Sequence, residues 1–117
     1  MKNIIIITGG AGFVGTNLIN LLIKKTKFKI ISIDNYSSGS KINHIKNKKV
    51  KYIKGDTRNI NQIIKNTKNI SCVFHFGEFA RIYQSFIKMN ECISSNSVGS
   101  NEVFNFCLKN KIKLIYS

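Results

Sequence analysis

The fold of this 117-residue chain is decided by one stretch, IIIITGGAGFVG at residues 4–15. Its four consecutive isoleucines predict a short strand that is covered on both faces, as the strands of parallel sheets are. The run is too short to cross a membrane. The glycines predict a tight turn, and a helix is expected to start directly after it. A glycine turn of this kind can receive a phosphate group, because its backbone approaches the ligand closely and the helix presents free N–H groups.

The next residues complete a strand–helix–strand unit. Apolar residues recur at helical spacing from Val14 to Leu22, and the pair at 24–25 places lysines where a helix C-terminus favours them. A second apolar strand is predicted at 30–33, and Asp34 ends it. This acid lies about 20 residues past the last glycine, where a dinucleotide site places the carboxylate that binds the ribose.

The rest of the chain continues to alternate strands with helices. Further strands are predicted at 50–53, 70–76 and 113–116, and a short helix at 60–65. Two more helices are predicted between residues 82 and 110, and the longer one contains Gly99. For residues 41–49 the sequence predicts either a short helix or no helix. This alternation predicts the α/β class, with a Rossmann-type, doubly wound parallel sheet that is incomplete and has about five strands.

Composition limits the classes of partner. The chain has 19 Lys and Arg residues against 5 Asp and Glu, a formal charge of +14. The lysines are spread among many Asn and Ile residues, a mixture that an A/T-rich genome encodes, so the charge is interpreted as compositional drift. Nucleic acid is therefore the less favoured partner. With no signal-peptide pattern, the protein is expected to be cytoplasmic and to have no membrane partner.

Cysteine and histidine are the residue types that could support other chemistry. The three cysteines at 72, 92 and 107 have no metal-ligand spacing, and we interpret them as reduced core residues, so no metal is expected. His75, at the end of the fourth predicted strand, is interpreted as a structural residue because no second ligand cluster accompanies it.

The candidate functional residues all follow strands. The glycine turn follows the first strand, Asp34 the second, Asp56 the third and Gly77 the fourth. In a parallel sheet these positions meet at one edge, where the ligands of open α/β proteins bind. Together they predict a dinucleotide site.

These motifs resemble those of the extended short-chain dehydrogenase/reductases, and within them the NAD-dependent epimerase/dehydratase family that acts on nucleotide sugars. The resemblance covers essentially the whole chain. It is carried by TGGAGFVG at 8–15, DNYSSG at 34–39, GD at 55–56, HFGEFA at 75–80, NSVGS at 96–100 and YS at 116–117.

The resemblance implies NAD as the cofactor and assigns its contacts. The main-chain N–H groups of Phe13 and Val14 would lie over the pyrophosphate. Asp34 would bind both hydroxyls of the adenosine ribose and repel the extra phosphate of NADP. Asp56 would accept from the adenine amino group. The other cofactor-binding residues that it implies are Gly9, Gly12, Gly15, Asn35, Ser37, Ser38, Thr57, Phe76, Gly77, Ala80 and Asn96.

Two charged residues near the fourth strand keep two interpretations each. Glu78 departs from the family's usual His-Leu-Ala-Ala pattern, and either a substrate-facing or a solvent-facing position is open to it. Arg81 could reach a phosphate of the sugar nucleotide or be a surface cation.

The family's catalytic pair is not found in this chain. Relatives use a Tyr-x-x-x-Lys pair in which the cation lowers the pKa of the phenol, because a free phenol with a pKa of about 10 is a poor base at neutral pH. None of the four tyrosines has Lys four positions later. The catalytic residues are therefore unknown, and residues 1–117 are expected to be the N-terminal part of an NAD-binding domain, without the catalytic segment and the substrate domain.

The expected function follows from the resemblance. The full-length parent would be a homodimer that acts on a nucleotide-sugar substrate by transient hydride transfer from a sugar hydroxyl to NAD. The alternative is an NAD-binding remnant or sensor module without catalysis.

Overall fold

The computed structural model describes residues 2–36, 40–76 and 99–116. Within these ranges one sheet is formed by five strands, which are β1 (Ile4–Thr8), β2 (Lys29–Asp34), β3 (Val50–Lys54), β4 (Ile70–His75) and β5 (Lys113–Tyr116). Every pair is parallel and the order is β3-β2-β1-β4-β5. The predicted Rossmann-type parallel sheet of about five strands is confirmed.

The helices connect these strands. They are α1 (Phe13–Lys25), α2 (Ile60–Ile63) and α3 (Ser100–Asn110), with single 3-10 turns at Lys41–Asn43 and Thr57–Asn59. The helix predicted at 60–65 is shorter than expected, because the chain becomes extended at Ile64, whose side chain enters the core. The fourth strand ends one residue earlier than predicted. Most of the first helix predicted after residue 82 lies outside the described residues.

The four isoleucines of β1 supply both layers of the core. Ile6 lies in a cluster with Val103 and Phe106 of α3, whereas Ile5 and Ile7 lie in a second cluster with residues of α1. Successive side chains of a strand point to opposite faces of the sheet, so β1 needs an apolar residue at every position. This is why an uninterrupted isoleucine run specifies the central strand of a doubly wound sheet.

The strand order reverses at β1. The chain moves outward from β1 to β2 and β3 and then returns to the other side of β1 to form β4 and β5. Open α/β sheets bind ligands at the carboxyl ends of the strands where the order reverses, which in this chain are β1 and β4.

None of the helices in the described ranges has the length and apolar character needed to cross a membrane.

Candidate cofactor site

The turn between β1 and α1 leaves little room for side chains. Gly9 has a φ of 75°, which glycine adopts without strain. A Cβ atom on Gly15 would overlap the carbonyl oxygen of Gly9 and lie 2.7 Å from the Cα atom of Gly10. The N–H of Gly12 closes the turn by donating to the Gly9 carbonyl at 3.1 Å. The first turn of α1 therefore packs directly against the end of β1.

The N-terminus of α1 is open to an incoming anion. Gly12 occupies the N-cap position without a side-chain hydrogen bond, and the first turn contains no acidic residue. Phe13 is 82% exposed and Val14 is 56% exposed, so this turn faces solvent. The first N–H groups of a helix have no acceptor within the helix, and the positive end of the helix dipole adds to their attraction for anions. The predicted pyrophosphate contacts lie at this turn.

Asp34 joins the end of β2 to the glycine turn. Its Oδ2 accepts from the N–H of Ala11 at 3.0 Å, and its Oδ1 accepts from the N–H of Tyr36 at 2.7 Å. The residue is 8% exposed. Each carboxylate oxygen can accept more than one hydrogen bond, so both keep capacity for a hydroxyl donor. Asp34 thus orders the glycine turn and presents acceptors at the same edge of the sheet.

Asp56 lies at the same edge, but its carboxylate is already engaged. Oδ1 accepts from the backbone N–H of Arg58 at 2.9 Å and from its Nε at 3.0 Å, and Oδ2 accepts from Nη2 at 2.7 Å. Burial raises the pKa of Asp56, but the hydrogen bonds and charge of Arg58, with a hydrogen bond from Asn35, outweigh it and the pKa is lowered. Thr57, beside it, is buried. The Arg58 contact was not predicted, although the acid–x–Arg spacing favours it.

A buried polar network joins β1 to β4. Thr8 and His75 are register partners, and Thr8 Oγ1 lies 2.6 Å from His75 Nδ1. His75 Nε2 lies 2.9 Å from Ser100 Oγ, and the N–H of Phe76 donates to Thr8 Oγ1 at 3.0 Å. His75 is fully buried and stacks on Tyr116. It holds the strands together where the order reverses, in agreement with the structural role inferred for it.

An aromatic cluster flanks the glycine turn beyond Asp34. The hydroxyl of Tyr36 lies 2.7 Å from His44 Nε2, and His44 stacks on Tyr52 with ring centroids 3.8 Å apart. Burial, the Asp34 charge and Tyr52 all raise the pKa of Tyr36, so its phenol stays protonated. The side chain of Asn43 donates to the carbonyl of Ala11 at 2.9 Å. Sequence reasoning missed this cluster, because loop contacts have no periodic pattern.

The predicted cofactor contacts divide into two groups. The described members lie along the carboxyl edge of the sheet: Gly9, Gly12, Phe13, Val14, Gly15, Asp34, Asn35, Asp56, Thr57 and Phe76. The others lie outside the described residues, as do the charged residues that kept two interpretations: Ser37, Ser38, Gly77, Ala80, Asn96, Glu78 and Arg81.

The described cysteines are poor nucleophiles. Cys72 and Cys107 are buried and free. Burial raises the pKa of both thiols, and with a further effect of Cys72 the pKa of Cys107 rises to about 11. Both therefore stay protonated at neutral pH, as expected of core residues. Cys92 lies outside the described ranges, and within those ranges no group of three or more metal-ligating side chains occurs.

Comparison with known proteins decides the family. The model of the NAD dependent epimerase/dehydratase family matches residues 5–117. This chain belongs to that family. Two similar members are the Bifunctional protein GAL10 of Candida maltosa, 33% identical over 97% of this chain and 78% of its own length, and the dTDP-D-glucose 4,6-dehydratase of Dictyostelium discoideum. The dehydratase is 32% identical over 93% of this chain, which spans only 27% of the dehydratase.

A solved structure of another protein shows the same fold. The Bordetella bronchiseptica enzyme WbmF, in complex with NAD+, superimposes with a TM-score of 0.88 over 98% of this chain and 36% of its own. The two sequences are 20% identical. At this identity the likeness establishes the fold.

Proposed function

We propose that this chain is the NAD-binding portion of a nucleotide-sugar epimerase or dehydratase. The observation that supports this most strongly is the Asp34 carboxylate, which is hydrogen-bonded to the glycine turn beside the open N-terminus of α1. Membership of the NAD dependent epimerase/dehydratase family supports the same proposal.

The hydrogen-bonding groups of the described residues support NAD as the cofactor. The uncapped first turn of α1 would hold the pyrophosphate through the backbone at Phe13 and Val14. Asp34 would accept from both ribose hydroxyls while it keeps its two backbone donors. When bound, NAD would supply the acceptor for the hydride that leaves the carbon bearing a sugar hydroxyl. The chain's own part is to bind and orient it.

The same carboxylate would select NAD over NADP. A phosphate on the ribose would be brought next to the Asp34 carboxylate, and two acidic groups that are brought together repel each other. Arg58, a cation at the same edge of the sheet, is already bonded to Asp56. We therefore expect NAD to be the preferred cofactor.

We propose catalytic groups for the full-length protein and not for this chain. This chain spans 27% of the dehydratase it resembles. We expect the parent to have a Ser and a Tyr-x-x-x-Lys pair downstream of residue 117, together with the groups that bind the nucleotide sugar. The homodimer and the cytoplasmic location expected for the parent stay predictions.

Titration calorimetry with NAD and NADP on the purified chain tests the cofactor proposal. The wild type should bind NAD more tightly than NADP. The variant Asp34→Ala should bind NAD at least about tenfold more weakly, because hydrogen bonds to a charged acceptor are lost. Its ratio of NAD affinity to NADP affinity should also be smaller than that of the wild type. As a control, Glu102→Ala removes a carboxylate from α3, on the face of the sheet opposite α1. It should leave the affinities for NAD and for NADP unchanged. An unchanged ratio in Asp34→Ala would refute the assigned role of this acid.

A binding module without catalysis is the second candidate. It is favoured by Tyr36, Tyr52 and Tyr83, which have Ser, Asp and Ile four positions later where a catalytic pair would have Lys. The coding sequence that follows residue 117 separates the two candidates. A Tyr-x-x-x-Lys pair there supports the enzyme, whereas a stop codon without the pair, together with NAD binding and no hydride transfer, supports the module.

A further inference from the structure

The fold gathers exposed lysines at the edge of the sheet opposite the cofactor site. We call this the amino edge, because all five strands start there and α1 and α3 end there. Six exposed lysines precede or begin strands at this edge: Lys2, Lys27, Lys29, Lys48, Lys68 and Lys113. Adjacent strands are about 4.8 Å apart, so these residues form a band roughly 20 Å wide.

The described acidic residues lie at the other edge. Asp34 ends β2, Asp56 follows β3, and Glu102 is in the first turn of α3. In the part of the chain that the structure describes, the ion pair formed is Arg58 with Asp56, again away from the amino edge. The charge of the described molecule is therefore polarised, and the lysine band has no carboxylate partner among these residues.

Helix dipoles explain only part of this arrangement. Lys24 and Lys25 lie in the last turn of α1, where the negative end of the dipole favours cations. Lys29 and Lys113 begin β2 and β5, so attraction to the C-terminus of a helix does not explain their positions. The accumulation of lysines at one edge raises the local positive potential.

An apolar cleft lies within the lysine band. It has a volume of about 340 Å³ and is lined by Lys2, Asn3, Lys27 and Phe28. Phe28 is half-buried and packs against the core cluster of Ile5, Ile7 and Ile19, and its remaining surface lines the cleft with Lys2 and Lys27. The alkyl stems of lysines can line an apolar surface while their ammonium groups stay in water. Cations around a partly exposed aromatic ring are the composition of surfaces that bind the interface of a bilayer.

We propose, against the expectation from the sequence that the protein has no membrane partner, that the amino edge docks on the surface of an anionic lipid bilayer. The lysines contact the headgroups as point charges, and Phe28 enters the boundary with the acyl chains. A membrane is favoured over nucleic acid because the lysines flank an apolar cleft that contains a partly exposed aromatic ring, which suits the interface of a bilayer. Arg58, whose forked guanidinium suits nucleic-acid recognition, lies at the opposite edge. Docking in this orientation leaves the cofactor site facing solvent.

Vesicle co-sedimentation at physiological salt tests the proposal. The chain should sediment with phosphatidylcholine vesicles that contain phosphatidylserine and stay in solution with pure phosphatidylcholine. The double variant Lys27→Gln/Lys29→Gln should weaken partitioning about 20-fold, because each lysine near an anionic surface contributes about fivefold to binding. The matched variant Lys41→Gln/Lys54→Gln removes the same charge from the carboxyl edge and should have a much smaller effect.

Three outcomes would overturn the proposal. They are equal sedimentation with both kinds of vesicle, equal losses in the two double variants, and retention of RNA without vesicle binding. Equal losses would mean that net charge alone drives the binding, and RNA retention would assign the edge to nucleic acid. Phe28→Ala should weaken binding to the anionic vesicles while the NAD affinity stays the same, which separates this proposal from that for the cofactor site.

Discussion

Two buried hydroxyl groups of the sheet differ in whether they have a hydrogen-bond partner. Thr8 Oγ1 accepts from the N–H of Phe76 and lies next to His75 Nδ1. Ser32 Oγ is equally buried and has no partner within the described residues. It lies under Gly10, where a Cβ atom would overlap it. The Ser32 side chain therefore packs as an apolar group would, with its hydroxyl unsatisfied.

This difference predicts opposite effects of two conservative changes. Ser32→Ala should leave the free energy of unfolding unchanged or raise it by up to about 1 kcal/mol, because an unsatisfied hydroxyl is removed. Thr8→Val should lower it by about 1–3 kcal/mol, because buried partners are left unpaired. Urea unfolding of both variants measures the two values. A loss in Ser32→Ala as large as that in Thr8→Val would show that the Ser32 hydroxyl has a partner after all.

The Asp56 carboxylate should make stability depend on pH. Its pKa in the folded state is lowered, so its stabilising contribution is complete above the unfolded pKa of about 4 and is lost as the pH falls through the lower folded value. Arg58 is 44% exposed, which limits the contribution to at most about 1 kcal/mol. Asp56→Asn should therefore be less stable than the wild type at pH 7 and nearly equal to it below this range. A difference that does not change with pH would contradict the assignment.

The junction of β1 with α1 shows how one element positions the next. A Cβ atom on Gly15 meets backbone atoms of Gly9 and Gly10, which cannot move aside, whereas a Cβ atom on Gly12 lies 3.4 Å from the Gly9 carbonyl oxygen. The two glycines thus have different tasks. Gly15 allows the close approach of helix and strand, and we propose that the missing Cβ atom at Gly12 leaves the turn open to the cofactor.

Alanine at these two positions should separate folding from binding. Gly15→Ala should lower the free energy of unfolding by about 1–3 kcal/mol through overpacking. Gly12→Ala should change it by less than about 1 kcal/mol, the usual range for an N-cap exchange of this kind, yet weaken NAD binding. Thermal unfolding and calorimetry on both variants give the comparison. If Gly12→Ala bound NAD as the wild type does, the ligand would not approach this turn.

At the level of elements, the strands were predictable and the connections between them were not. Short apolar runs that end at or near Gly or Asp specify strands of a covered sheet, and β1, β2 and β4 follow this pattern, whereas β3 alternates polar and apolar residues before Gly55. Residues 41–49 have no periodicity, so their 3-10 turn and the stacking of His44 on Tyr52 depend on tertiary contacts. The early end of α2 at Ile64 also depends on tertiary contacts, because the side chain of Ile64 is buried in the core.

For the whole molecule, the sequence predicts which residues reach the carboxyl edge but not how they are bonded there. The place of Asp34 follows from its position after β2, whereas its bonds to Ala11 and Tyr36 require the folded turn. The contact of Thr8 with His75 joins residues that are 67 positions apart. The lysines look evenly spread along the chain, and only the parallel topology brings many of them to one edge.

Amide chemical shifts test most directly whether the glycine turn and Asp34 form an NAD site. Spectra of the ¹⁵N-labelled chain would be recorded during titration with NAD. We expect the largest shifts at the amides of Gly12, Phe13 and Val14 and at those of Ala11 and Tyr36, which donate to Asp34. Shifts confined to the amino edge, or none at saturating NAD, would contradict it.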